Sequence, residues 1–278
     1  MGALYLVGTP IGNLEDITLR ALRILEEVDL IAAEDTRRAR ILTQRYEIET
    51  PVTSYFEGNK ITKLETVLRA LGTGDVALIS EAGMPGLSDP GYELVCAAIE
   101  RGYPVTPIPG PSAPVVALVV SGLPSDSFLY LGFLPRRRNE RRKLLTEAAS
   151  ERRTLIAFES PHRLRKSLAD FEAVLGDRPL AVCRELTKLH EEIWRGSIAE
   201  ARAHFDEVEP RGEFTLVIGG APEGEREHWD ERQVRAALDD LLAQGVRRSV
   251  AARRVAAISG WGRKEVYRLG LEVESAGD

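Results

Sequence analysis

The chain has 278 residues, 44% of them hydrophobic and 29% charged, an ordinary soluble composition long enough for two domains that each bury a core. No apolar stretch reaches the roughly 18–20 residues of a membrane span, and the N-terminus lacks the pattern of a signal peptide, so a cytoplasmic protein with no membrane partner is expected. The net charge of −6 argues against indiscriminate nucleic-acid binding.

Strand-like and helix-like patterns alternate along the chain. Residues 4–7 (LYLV) read as a buried strand, 16–27 as a helix, and 28–33 (VDLIAA) as a second strand. Ile61, Leu64, Val67, Leu68 and Leu71 share one helical face, which Gly72 ends. A strand at 76–80, a helix from Tyr92 to Gly102 and a strand at 103–109 complete a first domain over 1–121. Continuous apolar strands between amphipathic helices indicate a parallel sheet covered on both faces. "GLPSD" at 122–126 reads as a hinge into a second α/β domain, 122–222, with strands in "FLYLGFL", "RTLIAFES", "PLAVCREL" and "GEFTLVIGG" and a helix in "HRLRKSLADFEAVLG". Residues 221–229 read as a polar linker. Residues 230–278 read as three short helices separated by glycine-containing turns, a helix-turn-helix-like unit.

Cys96 and Cys183 lie in apolar runs and read as buried thiols of a reducing cytosol. His162, His190, His204 and His228 are scattered, so no metal site is expected. The cations are not scattered. "PRRRNERRK" (135–143) holds six against one acid, and "RRSVAARR" (247–254) with "GRKEVYR" (262–268) holds seven against Glu265. These stretches read either as solvated helix faces or as local contacts to an anionic polymer.

Three loops stand where ligands bind in open α/β sheets, at the carboxyl ends of strands: "GTPIG" (8–12), "EAGMPG" (81–86) and "PGPSAP" (109–114). None fits a phosphate-wrapping glycine pattern. Each carries proline, which stiffens the loop and removes a donor, beside glycine, which admits a close ligand. A flat base and a ribose suit such walls better than a pyrophosphate does.

In order along the chain, "GTPIGNLEDIT", "AEDTR", "SEAGMPGLSDPGYELV", "IPGPSA", "GFLP" before a basic run, "FESPHR" and "RELTK" resemble the tetrapyrrole methylase superfamily over about residues 4–220. Within it, they are most similar to the bacterial branch that 2′-O-methylates a cytidine ribose of small-subunit ribosomal RNA near the decoding centre. The resemblance implies two α/β domains with a cofactor cleft between them, S-adenosylmethionine as cofactor, small-subunit ribosomal RNA as partner, and a homodimer. Carried over by motif, it places Pro10, Gly83, Met84, Leu87, Ser112, Ala113, Phe158 and Leu186 on the cofactor. Met84 stands where the family commonly has threonine, and Glu81 where it has aspartate. "SYFEGN" (54–59) replaces a histidine-rich stretch, which weakens the case for a histidine base there.

Methyl transfer to a ribose hydroxyl is an in-line displacement that needs positioning and removal or polarisation of the hydroxyl proton. Lys188 and Glu159 are the expected orienting and deprotonating groups, with Asp35 as a structural or substrate-positioning partner or simply a helix cap. Arg37, Arg136, Arg137, Arg138, Arg163, Arg253, Arg254 and Lys264 are the expected RNA contacts. Intraprotein ion pairs compete for the arginines beside acids. His162 reads as a cap or RNA contact, Trp194 as core, and Trp261 as a base-stacking residue. Two alternatives stay open: C-methylation of a tetrapyrrole or corrinoid ring, and a DNA-binding regulator with a sensor domain.

Overall fold

The structure, a computed structural model, describes residues 2–222 and 229–274. Most of the linker expected over 221–229 lies outside the described residues. The chain forms two compact units that divide after Gly220.

The larger unit holds two five-stranded sheets. The first contains β1 (Leu4–Val7), β2 (Leu30–Ala33), β3 (Val52–Ser54), β4 (Val76–Ile79) and β5 (Val105–Ile108) in the order β3-β2-β4-β1-β5. Every pairing is parallel. Alternate residues face opposite sides. Val7, Ile31, Ala33, Ala77, Ile79 and Ile108 pack against α1 (Leu19–Glu27) and α2 (Thr36–Arg45). Leu4, Ala32, Val76 and Leu78 pack against α3 (Lys60–Thr73) and α4 (Tyr92–Glu100). The strands read as unbroken apolar runs because helices cover both faces, as expected.

The first helix begins later than its apolar spacing suggests. Asn13 caps a single 3-10 turn at Leu14–Asp16, and the Thr18 hydroxyl then accepts the Ala21 N–H at 3.1 Å to start α1. Val28 closes α1 rather than opening β2.

The second sheet contains β6 (Phe128–Phe133), β7 (Thr154–Glu159), β8 (Pro179–Arg184), β9 (Glu192–Ser197) and β10 (Phe214–Ile218) in the order β6-β7-β10-β8-β9. Only β6 and β7 run parallel. One face carries Leu155, Ala157, Leu216 and Ile218 against α6 (Arg138–Glu147), α7 (Pro161–Leu175) and α8 (Ile198–Glu207). The other face carries Ile156, Ala181, Cys183 and Val217 against α5 (Ala113–Ser121), a helix from the first half of the chain. The two α/β halves therefore share a core across α5, in addition to each owning one.

The smaller unit is α9 (Glu231–Ala243), α10 (Arg248–Ser259) and α11 (Arg263–Glu274). Val234, Leu238, Ala251, Ala252, Val255, Val266 and Leu269 form its own core. Trp261 packs against that core and donates its indole N–H to the Trp229 carbonyl at 2.6 Å. Trp261, expected as a base-stacking residue from its setting between two glycines, thus also helps hold this unit together.

Candidate active site

The strand topology gathers the site at one end of both sheets. The carboxyl ends of β1, β4 and β5 meet those of β6, β7 and β8. Because β10 is antiparallel to β7 and β8, its beginning joins them, with Phe214 opposite Glu159 and Arg184. Between these ends lies a cavity of about 600 Å³. Its lining includes Pro10, Gly83, Met84, Leu87, Ser112, Ala113, Phe158 and Leu186, the eight residues expected on the cofactor, together with Glu159 and Lys188.

The three proline-glycine loops support one another. Thr9 and Gly83 exchange backbone hydrogen bonds, Thr9 N to Gly83 O at 2.9 Å and Gly83 N to Thr9 O at 3.0 Å. Gly8 lies against Gly110 so closely that a Cβ on Gly8 would meet the Gly110 Cα at 2.8 Å. The Thr9 N–H and carbonyl, just before Pro10, are thus spent on holding two of the loops together. Ser112 caps α5 without using its hydroxyl, which leaves that group for a ligand.

Opposite, the "RELTK" loop is bent by two non-glycine residues in the left-handed region, Glu185 (φ 50°) and Thr187 (φ 66°). Such residues cost about 1–3 kcal/mol each and persist where the surroundings fix them. Here Glu185 Oε1 accepts the Glu213 N–H at 2.8 Å and the Lys188 ammonium at 2.9 Å. The bend buries Leu186 between them, against the cavity.

Electrostatics reassign several expected roles. Lys188 pairs with Glu185 and, at 3.0 Å, with Glu213. Burial works against its charge, but hydrogen bonds to the two carboxylates outweigh burial and hold its pKa above the ordinary value. Its ammonium is thus held charged and presented to the cavity as a donor. Glu159 is buried and accepts from the Ser160 N–H, the Ser167 hydroxyl and the Arg163 guanidinium at 2.7 Å. Its oxygens, at the rim of the cavity, anchor the β7–α7 turn. Arg163, expected as an RNA contact, in turn donates to the Leu134 carbonyl at 3.0 Å and so clamps the turn from within. Asp35 caps α2 through the Arg37 and Arg38 N–H groups and chelates the Arg37 guanidinium, which keeps its pKa well below the usual carboxylate range. Neither Asp35 nor Arg37 lines the cavity.

The basic run at 135–143 is also more internal than its composition suggests. Arg138, Arg141 and Arg142 converge on the buried carboxylate of Asp170, at 3.2, 2.6 and 2.8 Å. Arg136 and Arg137 remain at the surface, Arg137 beside Glu140. Phe133, two residues ahead of this segment, is 59% exposed on the cavity rim and tilts against Phe158 with ring centroids 5.1 Å apart. His162 is exposed in the first turn of α7 and does not line the cavity. Arg253, Arg254 and Lys264 are exposed on the smaller unit.

Asp89, in "GLSDPG", lines the cavity and was legible only as one more acid in the strand-end loop that carries Glu81. Burial, the Glu34 charge and the Glu81 charge push its carboxyl up to about 7, against a hydrogen bond from Ser80. Asp89 and Glu81 put carboxyl groups on one wall, Glu81 paired with Arg38 at 3.2 Å, while the proline-glycine loops are apolar. Apolar walls with carboxyl oxygens at one side fit a ligand that has a flat base and polar groups, as S-adenosylmethionine has.

Residues 3–202 match the family of tetrapyrrole (corrin/porphyrin) methylases. The chain is 47% identical to the ribosomal RNA small subunit methyltransferase I of Synechocystis over the whole of both chains. It is 49% identical to the protein of that name from Thermotoga maritima over 221 residues, 79% of this chain and 99% of the relative. Among solved structures, cobalt precorrin-4 methyltransferase superposes with a TM-score of 0.60 at 18% identity, over 78% of this chain and 94% of its own. Uroporphyrin-III C-methyltransferase from Thermus thermophilus, in complex with S-adenosyl homocysteine, gives 0.57 at 21%, over 78% and 97%. Both share the fold of the two α/β domains described above. The chain belongs to the tetrapyrrole methylase family and is an S-adenosylmethionine-dependent methyltransferase.

Proposed function

We propose that the protein 2′-O-methylates a cytidine ribose in small-subunit ribosomal RNA near the decoding centre. The observation that carries this reading is the 47% identity to a ribosomal RNA methyltransferase along the full length of both chains. Porphyrin and corrin methylases share the fold at 18–22% identity and span only 78–79% of this chain.

The cofactor is held by Pro10, Gly83, Met84, Leu87, Ser112 and Ala113 from the first half, with Phe158 and Leu186 from the second. When bound it supplies an electrophilic methyl group. The residues of the chain position the nucleotide. Phe133 offers an exposed aromatic face at the rim on which an unstacked base can lie, and Arg136 and Arg137 follow it for the flanking phosphates. Lys188, held charged by Glu185 and Glu213, orients the ribose oxygen as a donor. Arg253, Arg254 and Lys264 contact RNA from the helical unit. Val115 and Val119, exposed on the otherwise packed helix α5, support a homodimer.

The test uses radiolabelled methyl donor and small ribosomal subunits from a strain lacking this modification. One ribose should be labelled, and the adjacent phosphodiester should resist alkaline cleavage. Labelling of uroporphyrinogen or a cobalt corrinoid, with none of the subunit, would overturn the reading in favour of ring C-methylation.

A further inference from the structure

We propose that Leu189 is a wedge, filling the gap that the target nucleotide leaves in the RNA when that nucleotide enters the cavity. The proposal rests on the reading of the chain as an RNA ribose methyltransferase and adds how the substrate is held open.

The cavity lies between the ends of both sheets, and Lys188 lines it from the loop that joins β8 to β9. A ribose that meets Lys188 beside the cofactor has left the stack of its neighbours, and unstacking costs free energy that the protein must offset. The space it vacates exposes the faces of the bases on either side. An apolar side chain inserted there restores part of the lost contact. Such a wedge has to be apolar, stand clear of the protein, sit beside the entry and be rigid.

Leu189 is 92% exposed, the highest value for a large apolar side chain among the described residues. The next most exposed are Leu19, Ile61 and Tyr92. These three lie in the first turns of α1, α3 and α4, where no earlier turn exists for the side chain to cover. Leu189 has no such explanation, and it directly follows a residue that lines the cavity.

Its loop is rigid. The ladder of β8 and β9 runs to the pair Arg184 and Glu192. Beyond it, the Lys188 carbonyl accepts the Glu191 N–H at 3.1 Å. This closes a β-turn with Leu189 and His190 at the two central positions. The Glu185 carbonyl accepts the Lys188 N–H at 3.0 Å, and the Glu191 carboxylate accepts the Thr187 N–H at 2.6 Å. Gly12 of the first loop packs against the same segment, where a Cβ would meet Thr187 Oγ1 at 2.9 Å. A leucine on a loose loop would fold back onto the protein, whereas this one is held outward.

Phe133 stands at the end of β6, and β6 and β8 are three strand spacings apart, about 14 Å. A nucleotide drawn in between them has Phe133 for its own base and leaves Leu189 against the bases that stay behind.

The experiment measures single-turnover methylation of unmethylated small subunits, at saturating protein and cofactor, by wild type, Leu189→Met, Leu189→Ala and Leu189→Asn. The side chain is outside the core, so every variant should fold. Leu189→Ala and Leu189→Asn should lose about tenfold in rate, while Leu189→Met stays within about threefold of wild type. Cofactor affinity, read by calorimetry, should not change. The second readout is an RNA fragment with 2-aminopurine beside the target cytidine, bound in the presence of S-adenosyl homocysteine. Its fluorescence should rise with wild type and Leu189→Met, and by less than about half as much with Leu189→Ala at equal occupancy. If the fragment does not bind, the rates alone decide. Leu189→Ala within about twofold of wild type in rate, or Leu189→Asn as fast as Leu189→Met, overturns the proposal. So do equal fluorescence rises in wild type and Leu189→Ala. A variant that sediments as a smaller species marks Leu189 as a contact between copies of this chain and also overturns it. A wild-type protein that labels no ribose defeats the underlying reading. A ribose labelled at equal rates by wild type and Leu189→Ala defeats the wedge alone.

Discussion

At the scale of single residues, the charged groups divide by whether their charge is already satisfied inside the protein. Burial raises the Asp170 carboxyl, but donors from Arg142, Arg141 and Arg138 outweigh it and hold the group below its ordinary pKa. Arg141 is itself almost fully buried. Asp170→Asn strands that guanidinium without a counter-charge and should cost about 3–5 kcal/mol of stability, measured by denaturant unfolding. Asp89 is the opposite case. Its folded pKa of about 7 lies above the ordinary 3.8, so between these values the folded state holds a proton that the unfolded chain has lost, and stability falls as pH rises. Asp89→Asn removes that titration. At about pH 8 the variant should be more stable than wild type by about 1–3 kcal/mol, the full shift being discounted for solvent screening, and the difference should vanish near pH 4. Lys188 makes a third case. Because it stays charged through neutrality, Lys188→Ala should lower turnover by about 10–100-fold, measured as methyl transfer to unmethylated small subunits.

At the scale of elements, the parallel first sheet was legible because strands covered on both faces are unbroken apolar runs, as in "VALI" at 76–79. Strand β9 was not. Its sequence EIWRGS places charge at both Glu192 and Arg195 on an edge, so no apolar period marks it. Helix α6 was hidden by its own arginines, which read as a surface until Asp170, some thirty residues on, is placed beneath them. The cofactor loops were legible from composition and motif, since proline and glycine act locally. The commitment of Glu159 to Arg163 and Ser167, and the freedom of Asp89 from any cation, depend on partners that only the fold supplies. Loop contact gives the prediction at this scale. A Cβ at position 8 would sit 2.7 Å from Met84 Sδ and 2.8 Å from the Gly110 backbone, and backbone cannot rotate away. Gly8→Ala should therefore prise the first loop from the other two and weaken cofactor binding by at least about tenfold, read by calorimetry, while far-ultraviolet dichroism stays native.

At the scale of the whole molecule, an acidic chain must hold a polyanion through local charge. The helical unit has its own core, and its exposed Arg253, Arg254 and Lys264 have no role in that packing. The Thermotoga relative of the same name matches 221 residues of this chain with 99% of its own length, a stretch about as long as the larger unit. That relative is named a methyltransferase and is about as long as the larger unit, which supports the proposed reading of the helical unit as a substrate-affinity element. Phosphate contacts release counterions, and each adds about 0.7–0.9 to the slope of log affinity against log salt. Reversing all three charges (Arg253→Glu, Arg254→Glu, Lys264→Glu) should weaken binding to small subunits and flatten that slope by about 2. Cofactor affinity should not change, and turnover should recover at saturating subunit concentration. A triple variant with an unchanged salt slope would show that these cations face solvent, leaving the rim around Phe133, Arg136 and Arg137 to hold the RNA by itself.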